Sequence, residues 1–176
     1  MWRIATLNMN GIVNPTRVAE LRHEMNRRQI DIAFLQETRH ADGNSEFIRD
    51  YCILNSGTRQ NEGARKYIWG AAIAIHESLA PFMRKVERTP GNIMRVEMAP
   101  ITSAPWGEKK RSHLTSACIP LKDREAREAR DALHEHLAKI PENDHVMIGG
   151  DFNAHISGTK YDHENPPRRA RSQGGI

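Results

Sequence analysis

Two short apolar runs limit the architectures open to this chain more than any other feature of its sequence. The runs from Asp31 to Gln36 and from His145 to Gly150 are almost wholly apolar, yet both are far too short for a helix. Runs of this kind are typical of buried strands in a layered α/β domain. We therefore expect a central strand at residues 31–36 and a second buried strand at residues 145–150.

Segments with helical periodicity lie between further strand-like runs. Val18, Leu21 and Met25 share one helical face, which predicts a helix from Pro15 to near residue 29. A second apolar stripe predicts a helix over residues 124–139, capped by Asp123 and ended by Pro141. Additional strands are expected at residues 2–7, 51–54, 68–76, 93–98 and 113–119. This alternation predicts a mixed α/β layered domain.

The charge of the chain favours a polyanionic partner, although it does not identify one. The 176 residues carry a formal net charge of +4, and 19 of the 26 basic residues are arginines. The arginine fork suits phosphate groups, so nucleic acid is favoured, with an ordinary solvated surface as the open alternative.

Features of other protein classes are missing from the sequence. It has no run of about 20 apolar residues that could span a membrane. Two cysteines cannot form a disulfide framework, and we expect no signal peptide, because the first strand is not preceded by a basic and then apolar segment. We therefore expect no membrane partner and an intracellular location, nuclear or cytoplasmic.

Polar side chains follow three of the predicted strands. These are Asn8 and Asn10 after the first strand, Glu37 after residues 31–36, and Asp151 and Asn153 after residues 145–150. Ligands of open α/β sheets bind beyond the carboxyl ends of the strands, and carboxylate and amide oxygens suit Mg²⁺. The glycine pair before Asp151 predicts a sharp turn that a substrate can approach. Taken singly, each cluster could also be an ordinary strand exit or turn cap.

Three motifs in this order resemble those of the endonuclease/exonuclease/phosphatase family. They are Leu7-Asn8-Met9-Asn10-Gly11-Ile12, Leu35-Gln36-Glu37-Thr38 and Gly149-Gly150-Asp151-Phe152-Asn153-Ala154-His155. The family includes AP endonucleases and pancreatic-type DNases, and the third motif looks most like that of non-LTR retrotransposon endonucleases. The resemblance implies a DNase-like fold, a four-layer arrangement of two β-sheets flanked by helices.

The resemblance also implies roles for individual residues. Glu37 would be the main ligand of Mg²⁺ or Mn²⁺, with Asn8 and Asn10 nearby. Asp151 would orient or deprotonate the attacking water, and Asn153 would hydrogen-bond the phosphoryl oxygens. Asn8 would also help to place the phosphate, and His155 would have an auxiliary catalytic role.

The sequence departs from the family pattern in three places. Cys118 stands where the family usually has a tyrosine that contacts phosphate, and Asn10 stands where several members have aspartate. The last strands and a closing Asp-His pair are not found. Residues 1–155 are therefore expected to form a partial domain with unpaired sheet edges, and residues 156–176 a disordered or loosely attached tail.

The leading interpretation is metal-dependent phosphodiester hydrolysis by a DNA endonuclease of the retrotransposon type. Truncation would weaken or abolish this activity. Two alternatives stay open at this point. One is a catalytically dead remnant that binds nucleic acid or a protein, and the other is an inositol-phosphate phosphatase or sphingomyelinase-like phosphodiesterase.

Overall fold

Two β-sheets packed face to face form the centre of the molecule. The computed structural model describes residues 2–40, 43–57, 69–89, 91–101, 110–121 and 123–153. The first sheet has the order β1 (Ile4–Asn8), β2 (Ile32–Gln36), β5 (Ala71–His76), β4 (Tyr51–Asn55) and β3 (Ser45–Ile48). The second has the order β6 (Met83–Thr89), β7 (Ile93–Met98), β8 (Ser112–Cys118) and β9 (His145–Asp151). The α-helices are α1 (Pro15–Arg27) and α2 (Asp123–Ala138), and a 3-10 turn spans Ala80–Phe82.

The strand predicted at residues 31–36 is confirmed as the buried strand β2. It runs parallel to β1 and antiparallel to β5, so it has a partner on both sides. Ile32 and Phe34 pack between the two sheets, whereas Ala33 and Leu35 pack on the opposite face with residues of α1. Because both faces of β2 are covered, nearly every one of its positions is apolar.

The two helices complete four layers, as expected for a DNase-like fold. Asn14 caps α1, because its side-chain oxygen accepts a hydrogen bond from the Thr16 amide at 2.9 Å. Leu21 and Met25 of α1 are buried against the first sheet. On the other side of the molecule, α2 lies against the second sheet near β7, and its buried residues are Ala126, Ala129 and His136.

The prediction that residues 145–150 form a buried strand was only partly right. They do form β9, but Val146 and Ile148 are 47% and 39% exposed. The reason is that β9 pairs with β8 alone among the described residues, so it is the edge of its sheet. Strand β1 has the same position in the first sheet, and its Leu7 is 47% exposed. Among the described residues, β1 and β9 are therefore edge strands of their sheets.

Strands β3 and β6 were not predicted. Both are edge strands, and polar or charged residues make up half of SEFI and five of the seven residues of MRKVERT. An edge strand covers little of the core and needs few apolar residues, so its sequence signal is weak. The proposed tail, residues 156–176, lies outside the described residues, as does the Asp123 side chain. None of the described helices is long and apolar enough to cross a membrane.

Candidate active site

The carboxyl ends of β1, β2 and β9 meet at one edge of the sandwich. Asn8 lies at the end of β1 and Glu37 follows β2, while Asp151 ends β9 in the facing sheet. The Asn8 side-chain amide donates a hydrogen bond to Glu37 Oε1 at 2.9 Å. The same nitrogen lies 3.5 Å from Asp151 Oδ2, at the outer limit of a hydrogen bond. Side chains from three separate motifs and both sheets are thus brought within contact distance.

The loop after β1 holds Glu37 in place through its backbone. The Gly11 amide donates to the Glu37 carbonyl at 2.7 Å, and the Met9 amide donates to the Gln36 carbonyl at 2.8 Å. The Arg17 side chain of α1 binds the same loop, donating hydrogen bonds to the carbonyls of Met9 and Asn10 at 3.0 and 2.9 Å. Helix α1 therefore fixes the segment that carries Asn8 and Asn10.

Asn10 lies beside Asn8 but is tied to it through the backbone. The Asn10 amide N–H donates to Asn8 Oδ1 at 3.1 Å, and Asn10 is an exposed residue. This bond directs the Asn8 amide group so that its nitrogen faces the Glu37 carboxylate. The backbone of Asn10 therefore orients the Asn8 side chain, independently of the Asn10 side chain.

Asn153 and Asp151 form a tight turn beyond β9. The Asn153 amide donates to Asp151 Oδ1 at 3.0 Å, and the Asn153 side chain donates to the Ile119 carbonyl at 2.7 Å. Its φ of 43° is in the left-handed region, which asparagine tolerates better than most residues. Of the predicted site residues, His155 lies outside the described residues, and the structure brings the other five to this edge.

The glycine pair before Asp151 has a different purpose from the one predicted. Gly149 and Gly150 lie within β9, and neither has a positive φ, so they make no sharp turn. A Cβ atom on Gly149 would lie 2.3 Å from the ring of Phe34, and one on Gly150 would lie 2.3 Å from the Ala117 carbonyl oxygen. The pair therefore permits close packing of β9 against both the facing sheet and its neighbour β8.

Cys118 ends β8, opposite Asp151 in the strand register. The residue is only 1% exposed. Burial, with a smaller contribution from the Asp151 and Glu37 charges, raises the pKa of its thiol to about 11, although a hydrogen bond from the Glu37 backbone lowers it. The thiol is therefore neutral at physiological pH and packs below the site. It cannot replace a solvent-facing hydroxyl.

A buried polar network that sequence reasoning missed lies directly under the site. Ser116 Oγ donates to the Leu35 carbonyl at 3.1 Å and lies 3.5 Å from Gln36 Nε2. Thr6 Oγ1 donates to Gln36 Oε1 at 3.2 Å. These contacts join the two sheets beneath Glu37, and only the three-dimensional register brings Ser116 to Gln36.

Backbone strain is concentrated at this edge. Seven described residues other than glycine have a positive φ, and five of them lie at or next to the site: Asn10, Glu37, Arg39, Trp69 and Asn153. Such conformations are unfavourable for residues with a Cβ atom and gather at functional sites. Arg39 was not among the predicted site residues. Its contact with Glu37 follows from two left-handed backbone conformations, which no sequence pattern reveals.

A groove of about 820 Å³ runs from this edge along β1 and α1. Its walls include Asn8 and Asn10 at the site end and Leu21 and Met25 further along. Glu37 and Asp151 do not line it. The groove adjoins the carboxylate cluster and does not contain it.

Comparison with known proteins is consistent with this arrangement. The model of the endonuclease/exonuclease/phosphatase family matches residues 5–173. A comparison with curated protein sequences gave no match. Among solved structures, the endonuclease domain of TRAS1, a telomere-specific non-LTR retrotransposon, is 22% identical with a TM-score of 0.53, over 88% of this chain and 60% of that one. An AP endonuclease from Archaeoglobus fulgidus is 19% identical with a TM-score of 0.59, over 87% and 58%.

A third similar structure is the 3′ phosphatase NExo from Neisseria bound to a product DNA hairpin. It is 14% identical, with a TM-score of 0.54, over 87% of this chain and 58% of that one. The chain thus spans about 60% of the length of these structures, and identities this low show a shared fold. Because the family model covers nearly the whole sequence, the chain belongs to the endonuclease/exonuclease/phosphatase family.

Proposed function

We propose that this chain hydrolyses phosphodiester bonds of DNA with the help of a divalent metal ion. The observation that carries the proposal is the convergence of Glu37, Asn8 and Asp151, from three motifs and two sheets, at one strained edge of the sandwich. Family membership supports phosphodiester hydrolysis as the reaction class. The TRAS1 endonuclease domain, similar over most of this chain, favours a retrotransposon-type endonuclease.

The donor atoms at this edge fit Mg²⁺ or Mn²⁺. The described residues contain no cluster of three or more His, Cys, Asp or Glu side chains suited to a metal. Mg²⁺ does not need one, since it is commonly held by one or two carboxylates together with water and substrate phosphate. Glu37 is the main ligand in this proposal, with Asn8 and Asn10 as its neighbours. When bound, the metal would neutralise the charge of the phosphate and polarise its oxygens.

Asp151 is suited to orienting or deprotonating the attacking water. Its Oδ1 accepts a hydrogen bond from the Asn153 amide, which fixes the orientation of the carboxylate. The remaining oxygen, Oδ2, faces Asn8, so it is directed toward the centre of the site. A carboxylate held in this way acts on water through position and basicity.

Asn8 and Asn153 are placed to interact with the phosphate. Asn8 is already oriented by the Asn10 amide, and the Asn153 side chain is anchored to the Ile119 carbonyl. Side chains fixed before substrate binds stabilise developing charge without reorganising during the reaction. We assign the auxiliary role to His155 on the sequence motif alone.

The substrate class follows from charge and from the similar structures. The net charge of +4 with 19 arginines favours a polymer of phosphates over a lipid whose head group has no net charge. The Neisseria 3′ phosphatase similar to this chain was solved with a DNA hairpin. We therefore place DNA ahead of inositol phosphates and sphingomyelin.

Nicking of supercoiled plasmid by the full 176-residue chain tests the proposal. We expect nicking with Mg²⁺, none with EDTA, and at least about a 100-fold slower reaction in Glu37→Gln. Glu142→Gln is the matched control, because Glu142 is exposed in the turn before β9, at the other end of the strand. Salt-dependent DNA binding without any cleavage would contradict the proposal and would favour a catalytically dead nucleic-acid-binding remnant.

A further inference from the structure

Arg39 occupies a fixed position at the edge of the site. Glu37 and Arg39 have φ values of 50° and 52°, with the fully buried Thr38 between them. The Thr38 amide donates to the Gly70 carbonyl at 3.1 Å, and the Arg39 amide donates to the Trp69 carbonyl at 2.9 Å. The loop before β5 therefore holds the backbone at Arg39, which fixes the position of the Arg39 Cα atom.

The Arg39 guanidinium binds the carboxylate that we assign to the metal. Arg39 Nη2 donates to Glu37 Oε2 at 3.0 Å, while the other oxygen, Oε1, accepts from Asn8. The Arg39 side chain is 42% exposed, compared with 26% for Glu37. A guanidinium has five N–H donors, so this single bond leaves donors that can face solvent.

The charges at this edge explain why an arginine is useful there. Glu37 and Asp151 would repel a phosphate, and Arg39 offsets one of these two charges. A divalent cation on Glu37 competes directly with the Arg39 guanidinium for the same carboxylate. The guanidinium released in this way matches the geometry of two phosphate oxygens.

We propose that Arg39 is a phosphate-binding residue of this site. It neutralises Glu37 when no metal is bound, and it binds a non-bridging phosphate oxygen of DNA when a divalent cation occupies the carboxylate. This inference rests on the proposed function, since it takes Glu37 as the metal ligand. It adds a residue outside the three motifs to the contacts with the substrate.

Two binding measurements on the full chain test the proposal. Mn²⁺ affinity is measured by calorimetry, and affinity for a labelled DNA duplex is measured by anisotropy with Mn²⁺ and with EDTA. A denaturing gel confirms that the duplex stays intact. The variants are Arg39→Gln and Arg39→Lys, with Arg84→Gln, on the exposed face of β6, as the control for loss of one positive charge.

Arg39→Gln should bind Mn²⁺ about two- to fivefold more tightly, because a competing exposed ion pair is lost. In Mn²⁺ it should bind DNA more weakly than Arg84→Gln does, whereas the two variants should bind DNA equally in EDTA. The slope of its log DNA affinity against log salt concentration should fall by about 1. Arg39→Lys should recover the salt slope but only part of the affinity.

Equal DNA affinity of Arg39→Gln and Arg84→Gln in Mn²⁺ would overturn the assignment, as would weaker Mn²⁺ binding by Arg39→Gln. Glu37→Gln separates this failure from failure of the proposed function. If Glu37→Gln binds Mn²⁺ as well as the unmodified chain, the metal site itself is wrong.

Discussion

Replacement of Gly150 by alanine tests whether close packing of β9 on β8 positions Asp151. The added Cβ would lie 2.3 Å from the Ala117 carbonyl oxygen, whereas ordinary contacts begin at 3.4 Å. The two strands must therefore separate locally by about 1 Å. Because the obstructing atom belongs to the backbone of β8, no side-chain rotation can relieve the contact.

Two effects should follow from this separation. Overpacking of this kind costs about 1–3 kcal/mol of unfolding free energy, and we expect the upper end because backbone must move. Asp151 is the next residue, and a displacement of about 1 Å at a reacting group can reduce the rate about 100-fold. The activity loss should therefore persist under conditions where the variant is fully folded.

Urea unfolding followed by tryptophan fluorescence measures the first effect, and plasmid nicking with Mg²⁺ measures the second. Gly43→Ala is the milder control. Its Cβ would lie 3.1 Å from the nearest atom, the Ser56 carbonyl oxygen, so a shift of a few tenths of an ångström would relieve the contact. An unfolding free energy of Gly150→Ala within about 0.5 kcal/mol of the unmodified chain would refute this role of the close packing. So would an equal loss of stability and activity in Gly43→Ala.

Three further predictions concern the core, an ion pair and the thiols. Phe34→Ala should lose about 3–5 kcal/mol in urea unfolding, because Phe34 is 2% exposed between the sheets; a loss under 1 kcal/mol would contradict that packing. Hydrogen bonds from Lys85 and Arg95 lower the pKa of Glu87 from 4.5 to about 2. The stability that Glu87 contributes is therefore present above pH 4.5 and is lost as the pH falls toward 2. The difference in unfolding free energy between the unmodified chain and Glu87→Gln should shrink over that range, and a constant difference would count against the ion pair. Cys52 and Cys118 are both 1% exposed, and burial raises the pKa of each thiol, so Ellman's reagent should react quickly only after urea is added; rapid reaction of the folded chain would show that the thiols are accessible.

The sequence was most informative where a residue pattern reports burial on both sides. The apolar run of β2 predicted a central strand because both of its faces are covered, and α2 was predicted from its apolar stripe. The edge strands β3 and β6 gave no comparable signal. Four of the seven residues of β6 are charged. The apolar run of β9 did not report burial, since Val146 and Ile148 are exposed.

Candidate site residues were predictable because they directly follow recognisable strands. Asn8, Glu37 and Asp151 were identified in this way, and the structure brings them together. The contact between Gln36 and Ser116 was not predictable, because it depends on how two sheets align across 80 residues of sequence. Arg39 was missed because its pairing with Glu37 depends on two left-handed backbone conformations that the sequence does not reveal.

In the function proposed above, Asp151 of the second sheet acts in one site with Glu37 and Asn8 of the first. The most direct test measures plasmid nicking by the unmodified chain, Asp151→Asn and Asp131→Asn across a range of Mg²⁺ concentrations. Asp131 is exposed on α2 and controls for loss of one carboxylate. We expect Asp151→Asn to be at least about 100-fold slower at every Mg²⁺ concentration and Asp131→Asn to be unchanged. Equal rates for the two variants, or no nicking by the unmodified chain, would contradict this role of Asp151.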